Sequence, residues 1–230
     1  MANVVIVAGG WHGGCEITPF ARRLRALGHE VFTPTLTGLG ERVHLAAARP
    51  NLDTHILDVA NVLEFEDLSD VVLCAHSYGG MVITGVADRM PERIAALVYI
   101  DALVPEDGES WWELVNDHFR AIAIEGAGED GLSVRPPAHM DPRCRPHPMA
   151  SFLQKIRLTG RGKEVREKLF VYATGWADSP FPATVERLRK LADWRIEEMA
   201  TRHNIIAAAP DQFLALLTGL EAMRTLERAM

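Results

Sequence analysis

The residue of this sequence with the clearest chemical potential is Ser77, which lies between an apolar run at residues 71–75 and a predicted helix. The run has the character of a central strand in a parallel sheet. After it, apolar residues recur at helical spacing: Met81, Val82, Val86 and Met90. A turn this sharp needs small residues two places either side of the serine, and Ala75 and Gly79 meet that need. The motif A-x-S-x-G therefore predicts a nucleophilic hydroxyl; the alternative is a serine that only caps the helix.

A serine hydroxyl is a poor nucleophile at neutral pH and needs a neighbouring base that a third group orients. His203 is the predicted base, because it follows the last predicted strand and precedes the terminal helix. The alternative for His203 is an ordinary surface-loop histidine. The ring of His76, beside the nucleophile, is expected to point elsewhere. Other histidines precede Ser77 or lie in the irregular middle of the chain: His29, His44, His55, His118, His139 and His147.

Two aspartates could orient the base. Asp178 lies in the loop after a predicted strand at 168–173, the usual place for the acid when serine, acid and histidine follow one another along the chain. Asp101 directly follows the strand that ends at Ile100 and is the alternative acid, although it could instead cap a turn. We predict Asp178 as the acid and keep Asp101 as the alternative.

A glycine-rich loop at residues 9–14 follows the first predicted strand. It lacks both the G-x-G-x-x-G dinucleotide pattern and the lysine of a phosphate-binding loop. Backbone N–H groups of such a loop can instead hold a developing oxyanion. Gly10 and Tyr78, the residue after the nucleophile, are the two predicted donors.

The composition is typical of one globular α/β domain spanning residues 1–230, with 48% hydrophobic and 24% charged residues. A net charge of −7 without a basic patch argues against a nucleic-acid partner. Because no long apolar stretch or signal-like N-terminus is present, we expect a cytoplasmic protein without a membrane partner. Cys15, Cys74 and Cys144 lack metal-ligand spacing and are predicted to be free thiols, so no metal site is expected.

Strands and helices alternate through the first 100 residues, which predicts a parallel sheet flanked by helices. A helix is expected from about Asp53, which is its predicted N-cap. The alternation breaks at about 105–162, where tryptophans and methionines lie among Gly- and Pro-containing stretches. This segment is predicted to be a cap over the site, the alternative being a helical excursion that packs on the core. A final helix is expected to start at Pro210.

The sequence resembles the α/β-hydrolase superfamily, and within it the small esterases that include plant methylesterases, hydroxynitrile lyases and bacterial pyrethroid-hydrolase-like carboxylesterases. The matching segments are GGWHGG (9–14), TPTLTGLGER (33–42), DTHI (53–56), HSYGGMV (76–82) and LVYIDA (97–102). The resemblance implies an α/β-hydrolase fold with about six core strands. It also implies a serine hydrolase that uses no cofactor and acts on a small hydrophobic carboxylic ester. Where the family usually has His-Gly, this chain has Ala8-Gly9.

The resemblance also separates the related activities. The lyases of the family carry a threonine in the glycine loop and a lysine after the catalytic histidine, and here these positions are Gly9 and Asn204. This favours an esterase, while a lactonase, thioesterase or amidase would use the same residues. An aspartate nucleophile, as in haloalkane dehalogenases, is excluded by Ser77. A non-catalytic receptor for a small molecule on the same fold remains an alternative of another class.

Overall fold

The computed structural model describes residues 1–225, and a six-stranded parallel sheet forms its centre. The strands in this range are β1 (Asn3–Val7), β2 (Glu30–Phe32), β3 (Val71–Ser77), β4 (Ile94–Ala102), β5 (Ser133–Val134), β6 (His147–Pro148), β7 (Glu167–Ala173) and β8 (Trp194–Met199). The large sheet has the order β2-β1-β3-β4-β7-β8, and β5 and β6 form a separate antiparallel pair. Every pairing in the large sheet is parallel, which confirms the predicted fold class and strand number.

Helices cover both faces of the sheet. They are α1 (Thr18–Ala26), α2 (Leu52–Phe65), α3 (Gly79–Arg89), α4 (Trp111–Leu114), α5 (Asp117–Gly126), α6 (Met149–Leu153), α7 (Pro182–Leu188), α8 (Ile205–Ala208), α9 (Pro210–Thr218) and α10 (Glu221–Thr225). Short 3₁₀ helices occur at Gly14–Glu16, Gly40–Ala48, Pro91–Arg93 and Arg161–Glu164. None of the helices within residues 1–225 is long and apolar enough to cross a membrane.

Two apolar layers hold the helices on the sheet, because alternate strand residues face opposite sides. Val5, Val7 and Leu73 pack with α2, α3 and α7 on one face. Val4 and Ile6 pack with α1 and the C-terminal helices on the other. The central strand β3 is buried on both faces, as its apolar sequence predicts. The carboxyl end of β3 is therefore a fixed platform for Ser77.

The start of α2 differs from the predicted one. Asn51, and not Asp53, is the N-cap: its side chain accepts a hydrogen bond from the Thr54 N–H (3.0 Å). The Thr54 hydroxyl in turn accepts one from the Asn51 N–H (3.3 Å), which completes a capping box. Asp53 lies in the first turn and pairs with Arg89 at 2.9 Å. The prediction was wrong because Asn and Asp are about equally good N-caps.

Residues 103–166 join β4 to β7 and are called the insertion below. They contain α4, α5, α6 and the β5–β6 pair, and α6 packs against α2 and α4. At the other end of the chain, the single helix predicted from Pro210 is two helices, since α9 ends at Thr218 and α10 begins at Glu221. Gly219, a poor helix former, lies between them. The last five residues of that predicted helix region, 226–230, lie outside the described residues.

Gly80→Ala is expected to lower the free energy of unfolding by about 1–3 kcal/mol or more, as overpacking typically does. A Cβ at Gly80 would lie 2.0 Å from the carbonyl oxygen of Leu103, where backbone cannot give way cheaply. Gly162→Ala is the matched control, because a Cβ there would meet its nearest atom at 3.6 Å. Urea unfolding of the two variants measures the difference. An equal, small effect of both substitutions would contradict the close approach of α3 to residue 103.

Candidate active site

Ser77 ends β3 with a backbone φ of 55°, a left-handed value that few non-glycine residues adopt. Tyr78 follows as the N-cap of α3. The Leu103 N–H donates to the carbonyl oxygen of Ser77 (3.1 Å), which ties the turn to the end of β4. A strained φ of this kind typically costs about 1–3 kcal/mol and persists only where the surroundings impose it.

Small residues allow this turn, as the motif predicts. A Cβ added to Gly79 would lie 2.9 Å from the Ala8 carbonyl oxygen and 3.1 Å from the Ala75 Cβ. A Cβ added to Gly9 would lie 3.1 Å from the Cβ of Ser77. The glycine loop, residues 9–14, therefore passes directly against the turn that carries Ser77.

His203 is held by Asp101. The His203 Nδ1–H donates to Asp101 Oδ2 at 2.7 Å, and the Ala173 N–H donates to Asp101 Oδ1 at 3.1 Å. The Asp101 side chain is completely buried. Burial raises the pKa of this carboxyl above its ordinary value, and the hydrogen bond from His203 opposes that rise. The bond also fixes the tautomer, leaving His203 Nε2 as the free ring nitrogen.

Asp178, the acid preferred from the sequence, does not occupy this position. Asp178 is exposed on the rim of a cavity that Ser77 and His203 also line. Its backbone carbonyl accepts a hydrogen bond from Asn116 Nδ2 at 3.0 Å. The partner of His203 is the alternative acid, Asp101. Asp101 can reach His203 because it lies at the end of β4 with a φ of 43°, and its side chain is buried beside β7.

His76 contacts His203, so the expectation that its ring points away from the site is wrong. The ring centroids of His76 and His203 are 4.5 Å apart, and the His76 Nε2–H donates to the carbonyl oxygen of His203 at 3.1 Å. Burial lowers the pKa of His76, so the ring is neutral. Trp176 stacks on His203 from another side, with centroids 4.6 Å apart and planes at 27°. His203 is thus held by its carboxylate partner and by the rings of His76, Trp176 and Phe181.

Two cavities meet at Ser77 and His203. The small one, of about 20 Å³, is lined by both of these residues, by Gly10 and by aromatic side chains that include Trp111 and Phe152. The larger one, of about 580 Å³, shares Ser77, His203 and Gly10 and extends towards the insertion. A third cavity, of about 780 Å³, lies between α3 and α7 and is lined by neither Ser77 nor His203. The predicted residues Ser77, His203, Gly10 and Tyr78 all line the small cavity, whereas Asp178 does not.

Glu16 connects the glycine loop to the residue after the base. Glu16 Oε1 accepts a hydrogen bond from Asn204 Nδ2 at 2.8 Å, and Glu16 Oε2 lies 3.2 Å from His12 Nδ1. Burial raises the pKa of Glu16 from 4.5 to about 7 and lowers that of His12 to about 4. Between these pH values Glu16 is protonated and His12 is neutral, so neither of the two neighbouring side chains carries a charge.

The raised pKa of Glu16 predicts that the free energy of unfolding depends on pH. The pKa of Glu16 is raised from 4.5 to about 7, because burial disfavours the charged carboxylate. The resulting loss of folding free energy is absent below pH 4.5, where the group is protonated in both states, and grows as the pH rises to about 7. Glu16→Gln keeps an acceptor oxygen for Asn204 Nδ2 and carries no charge. We expect this variant to gain up to about 3 kcal/mol in unfolding free energy at pH 8 and almost nothing at pH 4.5. Urea unfolding at the two pH values measures it; an equal change at both would contradict the raised pKa.

Comparison with known proteins identifies the family of the chain. The sequence profile of the alpha/beta hydrolase family matches residues 4–227. The chain belongs to the alpha/beta hydrolase family. This alpha/beta hydrolase is 37% identical over 243 aligned positions to the carbendazim hydrolyzing esterase of Nocardioides sp. (strain SG-4G), covering 96% of this chain and 100% of the relative. A pyrethroid hydrolase of Sphingobium wenxiniae is 26% identical over 110 positions, covering 47% of this chain and 38% of the relative.

A solved structure has the same fold. The extracellular alpha/beta-hydrolase from a Paenibacillus species superposes with a TM-score of 0.79 at 22% identity, covering 95% of this chain and 98% of that one. At this identity the likeness shows the fold alone. The family profile and the full-length relative confirm the predicted family and the prediction of an esterase-type alpha/beta hydrolase.

Proposed function

We propose that the chain is a cofactor-independent serine hydrolase that cleaves hydrophobic carboxylic esters through an acyl-enzyme. The observation that carries the proposal is the 2.7 Å hydrogen bond between His203 and the buried Asp101, because His203 and the strained Ser77 line the same small cavity. A serine, a histidine and a buried carboxylate with these contacts form the arrangement that activates a hydroxyl for attack on a carbonyl carbon.

In the first half-reaction, His203 Nε2 takes the proton of the Ser77 hydroxyl while its oxygen attacks the ester carbonyl. The imidazolium is stabilised by the Asp101 carboxylate across the same hydrogen bond. The N–H groups of Gly10 and Tyr78 hold the resulting oxyanion, and each such donor is typically worth about 3 kcal/mol in the transition state. His203 then gives its proton to the leaving alkoxide, so an alcohol departs and the acyl group stays on Ser77.

In the second half-reaction, His203 takes a proton from water, and the hydroxide oxygen attacks the acyl carbonyl. The tetrahedral intermediate collapses, the carboxylic acid departs, and the proton returns from His203 to Ser77. The net reaction consumes one ester and one water and needs no other reactant.

The cavity walls favour an apolar substrate. Phe119 and Trp176 line both cavities that meet at Ser77, and Met140 lines the larger one. Phe119 and Met140 belong to the insertion, which in this proposal acts as the cap that shapes the substrate pocket. Because the full-length relative is named for the hydrolysis of carbendazim, that compound belongs among the substrates to be tested.

The position that would distinguish a lyase supports hydrolysis. Asn204 donates to Glu16, and its side-chain oxygen accepts from the Ala207 N–H (3.1 Å) as the N-cap of α8. No cation is therefore supplied at this position beside His203 to receive a departing anion.

Steady-state hydrolysis of p-nitrophenyl esters with acyl chains of increasing length, and of carbendazim, tests the proposal. Turnover by the wild type, absent in Ser77→Ala, is the expected result, and the chain-length profile then reports the size of the pocket. A wild type that binds these compounds without turning any of them over would favour a receptor of small molecules instead.

A further inference from the structure

Trp11, directly after the predicted oxyanion donor Gly10, has a φ of 66°. It lies in a turn in which the His12 N–H donates to the Gly9 carbonyl oxygen (3.3 Å). The third position of such a turn favours glycine or asparagine, because a positive φ is strained for other residues. Something outside the turn must therefore hold Trp11 in this conformation.

The insertion supplies that support through every polar group of Trp11. The Trp11 N–H donates to His147 Nδ1 at 3.1 Å, and the Trp11 carbonyl oxygen accepts from the Arg145 N–H at 3.0 Å. The indole Nε1–H donates to the carbonyl oxygen of Val134 at 2.9 Å. Only the first of these bonds depends on the identity of a side chain in the insertion. His147 is thus the residue whose chemistry can be tested.

The protonation state of His147 follows from its hydrogen bonds. The Trp11 N–H can only donate, so His147 Nδ1 must accept, and Ser151 Oγ lies 2.9 Å from His147 Nε2, where it can accept the ring proton. The proton of the ring is therefore on Nε2, and Nδ1 is the acceptor that Trp11 needs. The ring is fully buried and stacks on Phe152 at 4.1 Å. Burial lowers the pKa of His147, which keeps it neutral.

We propose that His147 is a positioning residue of the oxyanion hole: by accepting from the Trp11 N–H, it fixes the Gly10–Trp11 peptide and with it the direction of the Gly10 N–H. This inference rests on the proposed function. Without the acceptor, Trp11 can relax to a negative φ, which rotates the Gly10–Trp11 peptide and breaks the turn. The His12 N–H then no longer holds the Gly9 carbonyl oxygen, and the Gly9–Gly10 peptide, which carries the Gly10 N–H, turns away from the oxyanion. The insertion then has a role in the chemical step as well as in shaping the pocket.

Two substitutions separate the acceptor from the packing. His147→Asn places Oδ1 where Nδ1 lies, whereas His147→Phe keeps a ring against Phe152 and offers no acceptor. We expect His147→Phe to lower kcat by about 30- to 300-fold, part of the 10²–10³ that one oxyanion donor contributes. KM should change less than about threefold, because the donor acts mainly in the transition state. His147→Asn should retain kcat within about fivefold.

Two further measurements keep the inference falsifiable. Ile156→Ala, a buried insertion residue outside both cavities at Ser77, should lower the melting temperature without lowering kcat. Amide hydrogen exchange of Trp11 should be slow in the wild type and in His147→Asn, and fast in His147→Phe, even if no ester is hydrolysed. Wild-type inactivity alone would thus count against the proposed function only. An unchanged kcat and slow Trp11 exchange in folded His147→Phe, or equal kcat losses in both variants, would overturn the inference.

Discussion

Ser77→Ala is expected to lower kcat/KM for ester hydrolysis by about 10⁵–10⁶, the loss seen when the nucleophile of a serine triad is removed. His203→Ala should cost about as much, and the double variant no more than either single one, because the two residues act as one unit. The rate that remains reflects binding and the oxyanion donors. Non-additivity is thus the signature that Ser77 and His203 share one chemical step.

Exposed residues of the same types provide the controls. Ser69→Ala and His44→Ala remove an exposed serine and an exposed histidine, and both variants should keep wild-type kcat/KM. Far-UV circular dichroism and thermal melts establish that all variants are folded. Losses at Ser77 and His203 that simply add in the double variant would mean that the two side chains act independently.

Asp101→Asn is expected to lower kcat by about 10⁴, while Asp178→Asn changes it less than about twofold. The asparagine keeps the shape of the buried side chain but removes the charge that stabilises the His203 imidazolium. Its amide can also turn an N–H group towards Nδ1, which would impose the wrong tautomer on the ring. Asp178 is exposed and bonds to Asn116 only through its backbone carbonyl, so its side chain can be exchanged at little cost.

The two aspartate variants are matched in chemistry and differ in position, so a comparison of their kcat values with one p-nitrophenyl ester decides between the two acids. Thermal melts of both should accompany the kinetics, because Asp101 is buried and Asp178 is not. A loss of activity in Asp178→Asn with an active Asp101→Asn would show that Asp178 is the acid, as the order of residues in the sequence predicts.

Local patterns in the sequence predicted the parts of the site that neighbouring residues determine. The turn at Ser77 follows from a buried strand, two small residues and a helix, all within a few positions. His203 follows from its place after the last strand. The acid could not be decided in this way, because Asp101 and Asp178 both follow strands, and the choice depends on which strand end His203 approaches.

Contacts between distant segments were beyond the sequence patterns. His76 contacts a residue 127 positions away, and Trp11 bonds to His147 across 136 positions. In the sequence, His147 is one of several histidines in the middle segment, and no local pattern gives it a role. A tryptophan at the end of G-G-W, where a turn favours glycine, is the one local sign that some other segment supports the glycine loop.

The first turnover tests the central proposal most directly. Enzyme at micromolar concentration is mixed with a p-nitrophenyl ester, p-nitrophenolate is followed by stopped flow, and the quenched protein is analysed by mass spectrometry. A burst of up to one p-nitrophenolate per wild-type chain, with the acyl group on the peptide that contains Ser77, is the predicted result. Full wild-type turnover in Ser77→Ala, or acylation of a different residue, would contradict it.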